Sequence, residues 1–131
     1  RFRSQLVPLM FDPDAAVDDL VSRLPMTVDA SMDGADDRLP SPVSAAAYYV
    51  TSEACANTLK HSAASRIRVN LTVAEGGLGI RVADDGRGGA ALAGNGLQGI
   101  ADRVAALGGT FRLDSPLGAG TSLEVFLPCG W

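Results

Sequence analysis

Two cysteines, one histidine and no long apolar run are the first limits this chain sets. Cys55 and Cys129 stand far apart, without a CxxC or Cys/His spacing, which argues against a disulfide framework or a zinc-type site. The expectation is two reduced thiols in a cytoplasmic protein, with Cys55 acting as a small hydrophobe inside an apolar helical run. No apolar stretch nears the roughly 20 residues needed to span a bilayer, and no secretory signal opens the chain. Basic residues are not in excess. The net charge of −4 argues against a nucleic-acid partner, although a few backbone N–H groups and one Lys can still hold phosphate locally. There is no internal repeat and no low-complexity linker. No G-x-x-x-x-G-K-[ST] occurs either, which excludes a P-loop. The first residue is Arg1, so we expect a fragment of a longer protein, and any membrane anchor would lie outside it.

What is present suffices for one domain over residues 1–131. Hydrophobic residues make up 47% and charged ones 20%, the balance of a globular chain able to bury its own core. Asp12-Pro13-Asp14 predicts a helix start, with Pro25 ending that helix after about Leu24. Met26 to Met32 alternates as a strand. Ser41-Pro42 opens the longest predicted helix, which runs to about Ser62, with Ser41 as N-cap and Pro42 at N1. Arg66 to Ala74 alternates strictly, placing Ile67, Val69, Leu71 and Val73 on one face, and Glu75-Gly76-Gly77 turns the chain into a second strand, Leu78 to Ala83. A glycine-rich stretch, 84–96, precedes a helix from Leu97 to Leu107, which Gly108-Gly109 stops. Thr110 to Asp114 and Ser122 to Leu127 form a closing hairpin. Tight turns make these strands antiparallel neighbours, and each hairpin has one apolar face to cover. The expected fold class is α/β (α+β): a two-layer sandwich of a mixed, largely antiparallel sheet, helices on one face, the other face solvated.

Three constellations can carry chemistry. Glu53, Asn57, Lys60 and His61 share one stripe of the long helix. Taken alone, that stripe is as readily a solvent face. Its mix is unusual, however: an Asn carbonyl suits Mg²⁺, a Lys suits phosphate, and a Glu can orient or deprotonate a nucleophile. Asp84-Asp85-Gly86-Arg87-Gly88-Gly89 follows a strand directly. A carboxylate there can accept the exocyclic amine of adenine, where guanine presents a carbonyl, and glycines let the backbone pass beneath the base. Gly94-Asn95-Gly96-Leu97-Gln98-Gly99 opens a helix, whose free N–H groups suit phosphate. It is also a literal G-x-G-x-x-G with Asp114 at about 20 residues' distance, as in dinucleotide-binding folds. The context disagrees: a long glycine-rich loop separates Ala83 from Gly94, and no βαβ unit follows Asp114. Gly118-Ala119-Gly120-Thr121 is the weakest element, of interest chiefly because it comes after the others.

In this order, these motifs resemble the catalytic and ATP-binding domain of bacterial sensor histidine kinases, of the superfamily that includes gyrase, Hsp90 and MutL. The resemblance covers roughly Leu39 to Pro128. Glu53-Ala-Cys-Ala-Asn57-Thr-Leu-Lys60-His61 resembles the N box (53–61), and Asp84-Asp-Gly86-Arg-Gly88 the G1 box (84–88). The lid is 89–94, and Gly94-Asn-Gly96-Leu-Gln-Gly99 resembles the G2 box (94–99). The short-lidded subgroup that pairs with NarL-type response regulators is the most similar. The resemblance implies a Bergerat fold and ATP with Mg²⁺ as ligands. Asn57 would bind the metal, Asp84 the adenine amine, and Thr121 would help hold the base. Gly86 and Gly88 would shape the base pocket. Gly94, Gly96, Leu97, Gln98 and Gly99 would face the phosphates, which Lys60 would neutralise. Glu53 would be the catalytic base or orienting group, and His61 would pack near the nucleotide.

The implied activity is γ-phosphoryl transfer to a His on a separate helical dimerisation domain, with the response regulator an indirect partner. No membrane contact by this domain is expected, and its place is the cytoplasm even where the parent protein is anchored. The sequence departs from the family in its minimal lid, which lacks a distinct phenylalanine box, and in Gly89, where the subgroup often has an aromatic. His61 is the only histidine, and its N-box context makes it a poor phosphoacceptor. Two alternatives use the same pocket: an anti-sigma-type serine kinase and a binding-only pseudokinase.

Overall fold

In the computed structural model the described residues are 27–33, 39–61, 64–74, 76–89 and 96–129, without the side chains of 27, 28, 30, 32, 33, 59–61 and 74. The helix expected from Asp12 to Leu24 lies outside them, as do Gly94 and the rest of the expected lid beyond Gly89. The elements are β1 (Thr27–Asp33), α1 (Ser41–His61), β2 (Arg66–Ala74), β3 (Gly77–Asp84), α2 (Leu97–Ala106), β4 (Thr110–Asp114) and β5 (Thr121–Pro128).

The five strands form one sheet in the order β1-β2-β3-β5-β4. β1 runs parallel to β2, with Thr27 opposite Arg66, and every other pairing is antiparallel. Helix α1 supplies the long crossover that a parallel pair requires. The sheet is therefore mixed and largely antiparallel, as the hairpin turns require.

Alternation decides which face each side chain takes. Ile67, Val69 and Leu71 of β2, Leu78, Ile80 and Val82 of β3, and Leu123, Val125 and Leu127 of β5 are all buried. They meet Val43, Ala46, Ala47, Val50, Ala54 and Cys55 of α1, and Leu97, Ile100 and Val104 of α2. The helix positions recur at three- and four-residue spacing, the apolar stripe of a helix lying on a sheet. Burial of a Val, Leu or Ile side chain contributes about 1.5–3 kcal/mol. The opposite face carries Arg66 with Asp29, and Glu124 between Arg81 and Arg112, all exposed. Such exposed pairs contribute at most about 1 kcal/mol each, so the apolar layer holds the fold together.

The start of α1 differs by one residue from the expected cap. Pro42 has no N–H, and the first free donors, those of Val43 and Ser44, both reach the Pro40 carbonyl at 3.0 Å. Pro40 therefore takes the first acceptor position that Ser41 was expected to hold, and Ser41 is already helical. The end of α2 is as expected. The Gly109 N–H reaches Val104 O at 2.9 Å and the Gly108 N–H reaches Ala105 O at 3.0 Å, the two bonds of a Schellman stop. Among the described residues, no helix is long and apolar enough to cross a membrane. Cys55 is a free, buried thiol, and burial pushes its pKa up to about 11.

Candidate functional site

Helix α1 lies over the ends of β3 and β5, and the start of α2 closes a third side. A small cleft lies between them. It is lined by Ala54, Asn57, Thr58, Val82, Asp84, Leu97, Thr121 and Leu123. Four residues expected from the sequence meet here: Asn57 from the N box, Asp84 from G1, Leu97 from G2, and Thr121 after the last glycine turn.

Asp84 is the final residue of β3 and stands directly opposite Thr121 in the β3–β5 register. Its carboxylate is held from two sides. Oδ1 accepts the Gly86 N–H at 2.8 Å, closing an Asx-type turn, and Oδ2 accepts the Thr58 hydroxyl at 3.0 Å. The Thr58 hydroxyl also lies 3.2 Å from Ala54 O one helical turn earlier. A carboxylate oxygen has capacity for more than one hydrogen bond, so Asp84 can still accept from a ligand. Thr121 meets the Ser115 hydroxyl at 2.7 Å. Thr58 and Ser115 are site residues that the sequence reading missed. The available signal for Thr58 was its place four residues after Ala54 on the buried stripe, since a polar side chain there needs a partner.

Asn57 is not on a solvent face. It is 8% exposed, and among the described residues its Oδ1 has no hydrogen-bond partner although the atom is buried. An unpaired buried amide oxygen is costly, and a ligand that coordinates it removes that cost. Glu53, one turn earlier and half-buried, reaches toward α2: a Cβ built at Gly96 would lie 3.3 Å from its Oε1. Lys60 and His61 complete α1, but their side chains lie outside the described residues.

The two glycine loops lock against each other. The Gly89 N–H donates to Ser115 O at 2.8 Å, and the Gly118 N–H to Arg87 O at 2.6 Å. Gly88 and Gly120 sit at the crossing with φ of +67° and +78°. A Cβ on Gly88 would come within 2.0 Å of Pro116 O, and one on Gly120 within 2.3 Å of Asp84 O. The left-handed backbone and the close carbonyls both require glycine here. Gly118-Ala-Gly-Thr121, the weakest motif in the sequence, thus buttresses the G1 loop.

Asp85 faces the other way. It accepts Ser65 N–H at 2.9 Å, Ser65 O–H at 2.8 Å and Arg66 N–H at 3.0 Å, fixing the entry to β2. The Ser65 hydroxyl first, then the Arg66 and Ser65 N–H groups, hold its carboxyl below the usual aspartate range. The two adjacent acids therefore divide: Asp84 lines the cleft and Asp85 staples the scaffold.

At the start of α2, Gly96 occupies the cap position with φ of +76° and no side chain caps the helix. Of the remaining G2 residues, Leu97 is in the core. Gln98 is exposed and donates to Asp102 Oδ1 at 2.9 Å, so the structure does not bring it into the cleft. Gly99 faces Tyr49 of α1.

A family model described as histidine kinase-, DNA gyrase B-, and HSP90-like ATPase matches residues 43–130. Sensor protein VraS of Staphylococcus saprophyticus is 30% identical over 114 residues, covering 84% of this chain and 32% of that protein. VraS of Staphylococcus haemolyticus is 31% identical over the same length. The chain thus spans about a third of the length of these curated relatives. The ATP binding domain of PrrB from Mycobacterium tuberculosis superposes with a TM-score of 0.62 at 27% identity, over 90% of this chain and 91% of that one. A blue-light activated histidine kinase from Erythrobacter litoralis shares the fold, with a TM-score of 0.73 at 22% identity, over 88% of this chain and 40% of that one. With the family matched over more than half its length and the N, G1 and last-glycine motifs meeting in one cleft, this chain belongs to the histidine kinase-, DNA gyrase B- and HSP90-like ATPases.

Proposed function

We propose that this chain binds Mg-ATP and is the catalytic domain of a two-component sensor histidine kinase. The observation that carries the reading is that Asp84, braced by Thr58 and Gly86, lines the same cleft as Asn57, whose buried Oδ1 has no partner among the described residues.

In this reading the Asp84 carboxylate accepts the adenine 6-amino group, and Thr121 across the β3–β5 pair supports the base. Asn57 supplies an oxygen ligand to Mg²⁺. Among the described residues there is no cluster of three His, Cys, Asp or Glu side chains for a metal. A hard cation takes oxygen ligands, and Asn57 would supply one. Bound there, Mg²⁺ would neutralise phosphate charge. Lys60 adds a second positive charge, and His61 packs beside the nucleotide. The uncapped N-terminus of α2, with Gly96, Leu97, Gln98 and Gly99, presents its N–H groups to the phosphates. Gly86 and Gly88 keep backbone, not side chains, beneath the base.

Phosphoryl transfer then needs positioning more than covalent chemistry. The bond from the γ-phosphorus to the β-phosphate oxygen breaks as a bond forms to an imidazole nitrogen of the acceptor. Glu53 takes or orients the proton that the acceptor loses, and ADP leaves. The acceptor His belongs to a helical dimerisation domain, and a NarL-type response regulator receives the group afterwards. The similarity to sensor proteins supports a His acceptor over a Ser acceptor. We place the domain in the cytoplasm as a single unit of a longer, optionally membrane-anchored parent.

Calorimetric titration with ATP, with and without Mg²⁺, tests the site. Wild type is expected to bind Mg-ATP, Asp84→Ala to lose most of that affinity, and Asn57→Ala to lose the dependence on Mg²⁺. Undiminished binding in both variants would refute the assignment.

A further inference from the structure

Tyr49 is the side chain of the α1 stripe that the nucleotide site does not use. It lies one turn before Glu53, and its ring is covered by the Arg103 guanidinium of α2 at 4.6 Å from the centroid, a cation–π contact. Its hydroxyl points to the first turn of α2. A Cβ built at Gly99 would stand 2.6 Å from the Tyr49 oxygen, while the next atom, Cζ, would be 3.8 Å away. Only the hydroxyl therefore crowds a side chain at position 99, and Tyr49 would have to shift to admit one; the ring alone would make an ordinary contact.

Gly96 and Gly99 are three residues apart, so two successive turns of α1 meet two successive small residues of α2. Glu53 Oε1 reaches the first and the Tyr49 hydroxyl the second. The depth at which Tyr49 seats in the notch over Gly99 fixes the distance between the helices at this end. That distance sets where the open N–H groups of α2 stand relative to Glu53.

We infer that Gly99 is required in this chain to clear the Tyr49 hydroxyl, so that α1 and α2 keep their spacing at the phosphate end, and not to let phosphate approach. The inference rests on the Mg-ATP reading for its functional part, while the Tyr49–Gly99 contact stands on geometry alone.

The test is a double-mutant set, Gly99→Ala, Tyr49→Phe and both together, measured by melting temperature and by titration with ATP and with adenosine. Gly99→Ala pushes the two helices apart and is expected to weaken ATP binding by at least about tenfold, the usual scale of overpacking. Adenosine, which lacks phosphates, should keep its affinity within about threefold if only the α2 end has moved. Tyr49→Phe alone should bind ATP within about threefold of wild type, and added to Gly99→Ala it should restore both ATP affinity and melting temperature to that range. A double variant as weak for ATP as Gly99→Ala, at restored melting temperature, would overturn the inference by assigning Gly99 to the phosphates directly. An equal loss of adenosine and ATP affinity would also overturn it. A wild-type chain that bound no ATP would instead refute the proposed function, and the melting temperatures would still decide whether Tyr49 and Gly99 are coupled.

Discussion

The Thr58 hydroxyl donates to Asp84 Oδ2 at 3.0 Å, joining the buried face of α1 to the last residue of β3 across 26 positions of sequence. Through this bond the helix that carries Asn57 also sets the orientation of the carboxylate expected to recognise the base. Thr58→Val keeps the volume and removes the donor. ATP affinity should fall about tenfold, or about 1.4 kcal/mol, with the helical circular dichroism unchanged. Isothermal titration gives the number, and an affinity equal to wild type would show that Asp84 does not need this brace.

The crossing of the two glycine loops predicts a sharp contrast between glycines. Gly120→Ala places a Cβ 2.3 Å from Asp84 O at a φ of +78°, and we expect it to cost more than about 2 kcal/mol in chemical denaturation. Gly79, in extended β3 on the solvated face, would set its Cβ 3.8 Å from Thr72 O, an ordinary contact. Gly79→Ala should be neutral or stabilising by up to about 1 kcal/mol. Equal effects at the two positions would contradict the buttress described above.

Much of this was legible from the chain, and the failures have a common cause. Arg66–Ala74 and Thr110–Asp114 match the predicted strands residue for residue, because strict alternation reports a one-sided sheet directly. Asp84 and Thr121 were found as separate motifs, but their direct opposition depends on the β3–β5 register, which local pattern does not reveal. Thr58, Ser115 and Tyr49 were passed over because each acts through a partner on another element or across a turn. In sequence Asn57 belongs to a polar stripe that a solvent face explains equally well. Its burial comes from the placement of α1 against the sheet and α2, a tertiary fact. The start of α1 differs by one residue because Pro42 fits either of the first two helical positions, and the Val43 and Ser44 N–H groups both take the Pro40 carbonyl.

Asp85 gives a pH dependence separable from the proposed nucleotide site. Its folded-state pKa is depressed, so its contribution to stability is fully present above the unfolded value of about 3.9 and is lost as pH falls through the lower folded value. Asp85→Asn should therefore melt below wild type at neutral pH, and the gap should close as the pH is lowered beneath about 3.9. Melting curves across that range supply the check; a gap that stayed constant down to low pH would assign the effect to something other than the Asp85 charge.

The central claim is that Asp84 reads adenine, and base discrimination tests it most directly. Guanine presents a carbonyl where adenine presents the amine, and a carboxylate facing a carbonyl is repelled while its acceptor goes unsatisfied. Titrating the same preparation with Mg-ATP and Mg-GTP should give at least about a hundredfold preference for ATP, shrinking to about tenfold or less in Asp84→Asn, whose amide can serve either base. Equal affinities of the wild-type chain for the two nucleotides, or a preference untouched by Asp84→Asn, would contradict the account.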